Sequence, residues 1–112
     1  MNESDDILSV LSDEQSKEIM KVLTKAELSI QQISHLLNIP QSTTYRKVRR
    51  LEELKIIKKT KVMRTVEGLD ESYYKNWTHE IIVTFKEGVL TYAIEHVKME
   101  DKIVRLWQKF SD

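Results

Sequence analysis

The chain has 112 residues, 40% hydrophobic and 32% charged, the size and balance of one globular domain rather than of a disordered or membrane-spanning polypeptide. It contains no cysteine, which excludes disulfides, thiolate metal sites and thiol redox sensing, and no apolar run approaches the roughly 20 residues that cross a bilayer. The formal net charge is zero but segregated: residues 41–64 hold nine basic side chains against two acidic, net +7, while residues 1–40 and 65–112 are net −4 and −3.

The acidic opening, Asn2 to Asp6, is the reverse of the basic start of a secretory signal, so no export is expected and the chain is expected in the cytoplasm. Ile7, Leu8, Val10 and Leu11 suggest a short helical turn. Ser12 and Gln15 have capping-box spacing for a helix from Asp13 to about Thr24, with Ile19, Met20, Val22 and Leu23 as its apolar stripe. Ser29 and Gln32 repeat that spacing, and Ile30, Ile33, Leu36 and Leu37 recur on one face of a shorter helix ending near Leu37. Asn38 is suited to the left-handed conformation that stops a helix, and Pro40 moves Ile39 out of the helical region before the next start.

A third helix, Gln41 to Leu54, is expected to bury Thr44, Val48, Leu51 and Leu54. From Ile56 the pattern becomes β-branched and alternating, giving a hairpin from Ile56–Val66 and Ser72–Thr78 around the turn at 67–71. A second hairpin pairs Ile81, Val83 and Phe85 with Leu90, Tyr92 and Ile94 about a Glu87-Gly88 turn. Met99, Ile103, Leu106, Trp107 and Phe110 then mark one wide face of a closing helix.

Two short helices joined by a tight turn, the second opening on small polar residues and continuing into arginines, form a helix-turn-helix pattern. An α-helix fits the major groove, where arginine grips guanine through two hydrogen bonds worth about 1–3 kcal/mol of discrimination. Gln41, Ser42, Thr43 and Arg46 lie at the end that meets base edges, and with Thr44, Val48 and Leu51 inward, Ser42, Thr43, Arg46 and either Arg49 or Arg50 point away from the core. Tyr45 lies at the margin, where its phenol is placed either to hold a phosphate or to pack on the first helix. Lys47, Arg50, Lys58, Lys59 and Lys61 suit phosphates, which supply salt-dependent affinity rather than sequence choice.

The string from Ile33 to Leu54, ISHLLNIPQSTTYRKVRRLEEL, resembles the helix, turn and recognition helix of arsenic-repressor-type (ArsR-like) winged-helix regulators of bacteria and archaea, and the resemblance extends from about Leu11 to Arg64. It implies an α+β winged helix-turn-helix fold with a β-hairpin wing beside the recognition helix, making Arg64, Lys75 and Asn76 candidate wing contacts. Metal-sensing relatives use cysteines or clustered histidines and carboxylates, whereas this chain has only His35, His79 and His96, far apart in sequence, so no metal or other cofactor is implied. Where many relatives have glycine after the recognition helix, this chain has Lys55, which points to a less usual cap.

The organisation expected is a winged-helix domain over residues 1–98 and a dimerisation helix over 99–112. The closing helix either folds onto its own domain or pairs with a second copy. Pairing is favoured, because Trp107 and Phe110 would leave a large apolar patch on a monomer and because two-fold symmetry sets recognition helices roughly 34 Å apart, one turn of DNA. The partners expected are double-stranded DNA and a second copy of the chain, and the function a sequence-specific transcription regulator; the alternative is a winged-helix protein-interaction subunit. Tyr73, Tyr74, Trp77, Trp107 and Phe110 serve either as the lining of an apolar effector pocket or as plain core, and no effector is named. No nucleophile–base pair, phosphate loop or metal motif suggests an enzyme.

Overall fold

The computed structural model describes residues 2–98. The expected helix at 99–112, with its interface candidates Met99, Ile103, Leu106, Trp107 and Phe110, lies outside the described residues.

The opening segment is a full helix, α1 (Glu3–Ser12), rather than a single turn. Asn2 caps it by accepting from the Asp5 amide, and Glu3, Asp5 and Asp6 place negative charge in the first turn, where the helix dipole favours it. Its cap and acidic first turn are both present in the sequence. In α2 (Glu14–Lys25) the cap is Asp13, whose carboxylate accepts from the amide and hydroxyl of Ser16. Ser12, expected as that cap, instead donates back to the Ser9 carbonyl at the end of α1.

A two-residue strand, β1 (Leu28–Ser29), leads directly into α3 (Ile30–Leu37). Ser29 and Gln32 form the expected capping box, each side chain accepting from the other's amide. Asn38 stops α3 at φ 54°. The Ile39 amide donates to the Ser34 carbonyl, and the Ser34 hydroxyl to the Ile39 carbonyl, so the turn is tied at both ends.

The next helix, α4 (Gln41–Glu53), buries Thr44, Val48 and Leu51, with Leu54 just beyond it, as its pattern predicts. It ends in a Schellman arrangement: the Lys55 amide donates to Glu52 and the Ile56 amide to Leu51. Lys55 therefore occupies the left-handed position, at φ 62°, that glycine fills more cheaply.

Strands β2 (Ile57–Arg64) and β3 (Asp70–Asn76) form the first hairpin, and with β1 they make a sheet of order β1-β3-β2. A bulge between Lys59 and Lys61 slips the alternation by one. By register, Ile57, Lys59, Val62 and Arg64 then share the face of buried Tyr74, while Lys58, Lys61, Tyr73 and Lys75 share the other. Strands β4 (Thr78–Lys86) and β5 (Val89–His96) form the second hairpin. Its turn residues, Glu87 and Gly88, both have positive φ, 52° and 77°, as a type I′ turn requires.

One core runs through these elements, with Ile7, Ile19, Leu23, Ile33, Val48, Leu51, Ile56 and Ile57 at its centre. Ile81, Val83, Tyr92 and Ile94 pack the root of the second hairpin onto it. Burial first, and then the neighbouring Glu3 carboxylate, push the Tyr92 phenol up. The described residues spread over 50 × 44 × 19 Å, with a radius of gyration of 16.4 Å. A compact domain of that size measures about 13 Å, so the hairpins extend beyond the core.

Candidate nucleic-acid interface

The helix-turn-helix geometry follows from the two helix ends just described. Capping fixes the start of α3, Asn38 and the Ser34–Ile39 bonds fix the turn, and Pro40 begins α4 with φ −53°. Thr44, buried, donates its hydroxyl to the Pro40 carbonyl, which locks the first turn of α4. The opposite side of that turn is consequently open: Gln41, Ser42 and Arg46 are exposed, and Thr43 is half-buried.

Farther along α4 the cations divide into two groups. Lys47 is only 18% exposed and its ammonium lies 2.6 Å from the Asp13 carboxylate. With the Lys47 hydrogen bond as the largest cause and the Ser16 hydroxyl next, the Asp13 carboxyl is held down at about 2. Arg50 pairs with Asp6 at 2.8 Å. Two phosphate-contact candidates are therefore engaged by the acidic N-terminal segment. Arg46 has no ion-pair partner among the described residues, and Arg49 has only the distant Glu53, at 3.7 Å, and the Tyr45 ring, 6.0 Å from its guanidinium. Tyr45 is 52% exposed and lines, with Arg46, Arg49 and the α1–α2 corner at Ser9 and Ser12, an open groove of about 820 Å³. On the other flank, a shallow hollow lies between Gln31 and His35 of α3 and Gln41 of α4.

The wing candidates are not brought together. Arg64 stands opposite Asp70 in the strand register at the outer end of the hairpin, and its Nε donates to the Gly68 carbonyl. Lys75 and Asn76 pair with Lys58 and Ile57 at the root, roughly 20 Å away at 3.4 Å per residue. Lys75 is also on the sheet face opposite Arg64, and Asn76 is used internally, donating to the Thr78 carbonyl and accepting its amide. Lys59 is exposed on the Arg64 face. Lys61 is drawn to the other face, 3.5 Å from Glu27 and 4.9 Å from the Tyr73 ring. The wing tip itself carries Val66, Glu67 and Leu69, so Arg64 supplies its positive charge.

Of the aromatic effector-pocket candidates, Tyr74 is core, Trp77 stacks on His96 at 3.8 Å and Tyr73 lies under the Lys61 ammonium, while Trp107 and Phe110 lie outside the described residues. The sequence offers His96 only as one of three scattered histidines, yet its Nε2 lies 2.8 Å from the Lys55 carbonyl and so donates to the cap of α4. Asp6 and Asp13 were also missed as partners of α4, although the acidic excess of residues 1–40 opposite the basic excess of 41–64 signals such pairing. Among the described residues, no group of three or more His, Cys, Asp or Glu is placed to hold a metal, and no helix is long and apolar enough to cross a membrane.

A capped helix pair with an exposed cationic second helix, followed by a twisted hairpin, defines the winged helix-turn-helix fold of DNA-binding regulators. Residues 12–58 match the family described as winged helix-turn-helix DNA-binding. The structure is similar to that of HlyU from Vibrio cholerae N16961, with 19% identity and a TM-score of 0.53 over 66% of this chain and 74% of that one. It is also similar to the crystal structure of NolR from Sinorhizobium fredii, with 16% identity and a TM-score of 0.52 over 66% of this chain and 68% of that one. At these identities the likeness is one of fold. No curated protein matches the chain.

Proposed function

We propose that this chain is a sequence-specific DNA-binding transcription regulator of the arsenic-repressor-like type that acts as a homodimer and carries no catalytic activity. The observation that supports this most directly is the uncovered outer face of α4, where Gln41, Ser42 and Arg46 stand clear of the domain. In the proposed complex these residues and Arg49 meet base edges in the major groove, Thr43 and Tyr45 border them, and Lys59 and Arg64 take flanking phosphates. Gln31 and His35 stand beside the same entry point and join the backbone contacts. Lys47 and Arg50 act first by anchoring α4 to Asp13 and Asp6. Residues 1–98 form the DNA-binding unit and 99–112 the pairing helix, which brings two weak half-sites into one palindrome.

The test is a fluorescence-anisotropy titration of duplexes selected from a random pool, repeated from 50 to 200 mM salt. Six to ten phosphate contacts would cost about 10³–10⁵ in affinity over that range. Arg46→Ala is expected to relax base preference at one position and Lys59→Ala to weaken all sequences alike. Absence of binding at 50 mM salt refutes the proposal.

A second reading, a protein-interaction winged helix, has its own observation: Ile82, Phe85 and Val89 are 53%, 74% and 58% exposed on the second hairpin. It predicts one stoichiometric protein partner whose capture survives charge reversal at Arg46 and Arg49.

A further inference from the structure

A hollow of about 240 Å³ lies where β3 passes into β4, its polar lining supplied by Thr24 from the end of α2, Lys58, Lys75, Asn76, Thr78 and His79, with Val97 as its apolar wall. It shares no lining residue with the groove along α4. Its charge is one-sided. Lys58 and Lys75 are directly opposed in the antiparallel register, a placement in which like charges destabilise a sheet. Neither makes an ion pair among the described residues, and no carboxylate is among the residues lining the hollow. The Lys58 ammonium instead lies 5.4 Å from the centre of the Trp77 ring.

The remaining polar groups define what the hollow accepts. The Thr24 hydroxyl donates to the Met20 carbonyl and the Thr78 hydroxyl to the Ile56 carbonyl, so neither is free as a donor. The donors left are the two ammonium groups, one N–H of the Asn76 amide and the His79 ring. Such a set recognises charge with little directional demand, and the volume is that of about eight water molecules. We propose that this hollow is a binding site for the compact oxyanion group, phosphate or carboxylate, of a small molecule. An oxyanion between Lys58 and Lys75 relieves their repulsion. Its floor also adjoins the end of α4, because the Trp77 amide and the Thr78 hydroxyl both donate to Ile56, the residue that closes the α4 cap.

The site is tested without DNA. The chain has two tryptophans, so a Trp107→Phe variant leaves Trp77 as the only reporter. Its emission is titrated with inorganic phosphate, pyrophosphate and citrate at constant ionic strength, with sodium chloride as the control and a thermal melt on every variant to establish folding. Expected is a saturable change for at least one oxyanion and none for chloride, weakened at least five-fold by Lys75→Gln and unaltered by Lys86→Gln, which lies outside the hollow. No saturable change, or one that survives Lys75→Gln, overturns the proposal. A DNA phosphate is the competing source of the same chemistry. If Lys75→Gln flattens the salt dependence of DNA binding by about one phosphate, slope roughly 0.9, the small-molecule assignment falls; an unchanged slope supports it.

Discussion

Replacing Asp13 with asparagine isolates one charge at the contact between α2 and α4. Asparagine caps a helix about as well as aspartate, so the bond to the Ser16 amide is kept while the attraction to Lys47 is lost. A carboxyl held at about 2 in place of the ordinary 3.8 corresponds to about 2.4 kcal/mol at 1.36 kcal/mol per pH unit. Ser16 supplies part of that shift and still bonds an asparagine, and the Asp13 side chain is 38% exposed, so after solvent screening about 1 kcal/mol remains for the lost charge. Because the folded state depresses this carboxyl, its contribution is complete above pH 4 and disappears as the pH falls through about 2. Urea denaturation followed by circular dichroism at pH 7, 4, 3 and 2 should therefore show Asp13→Asn about 1 kcal/mol less stable at pH 7, with the gap closing toward pH 2. Equal stability at pH 7, or a gap that stays constant down to pH 2, would show that the Asp13 charge does not hold α2 to α4.

Lys55→Gly relieves a lysine at φ 62° and should raise stability by about 1 kcal/mol in the same urea assay, since the left-handed region costs a side chain roughly 1–2 kcal/mol and glycine gives some back in chain entropy. His96→Ala removes both the ring stack on Trp77 and the bond to the Lys55 carbonyl, and a loss of about 1–2 kcal/mol is expected, with amide exchange at Leu54 to Ile56 accelerated. Asp6→Asn releases the 45% exposed Arg50 for a phosphate; the slope of log affinity against log salt should steepen by about 0.9 in a DNA titration.

Local chemistry made much of this fold legible. The Ser29–Gln32 box, Asn38 with Pro40, and the Thr44–Val48–Leu51 stripe each encode a structure within a few residues, and the structure contains each of them. The Glu87-Gly88 turn is equally local, because both residues must adopt positive φ. Non-local features were less visible. Asp13 and Ser12 both offer a capping oxygen at the same helix start, and Asp13 prevails in the structure, where Lys47, 34 residues away, stabilises it as well. The bulge between Lys59 and Lys61 reverses which lysines share a face, and no glycine or proline marks it; the resemblance that groups Arg64 with Lys75 carries no register, and the two stand at opposite ends and on opposite faces. His96 gains its role only when β5 returns beside the end of α4, a pairing across 41 residues.

The claim that α4 enters DNA is tested most directly by amide chemical-shift mapping of the labelled protein against a selected duplex. The largest changes are expected over Gln41 to Arg50, smaller ones around Arg64 and Gln31, and little change over the 81–90 hairpin segment. Changes centred on Ile82, Phe85 and Val89, with the α4 amides unmoved, would contradict the claim.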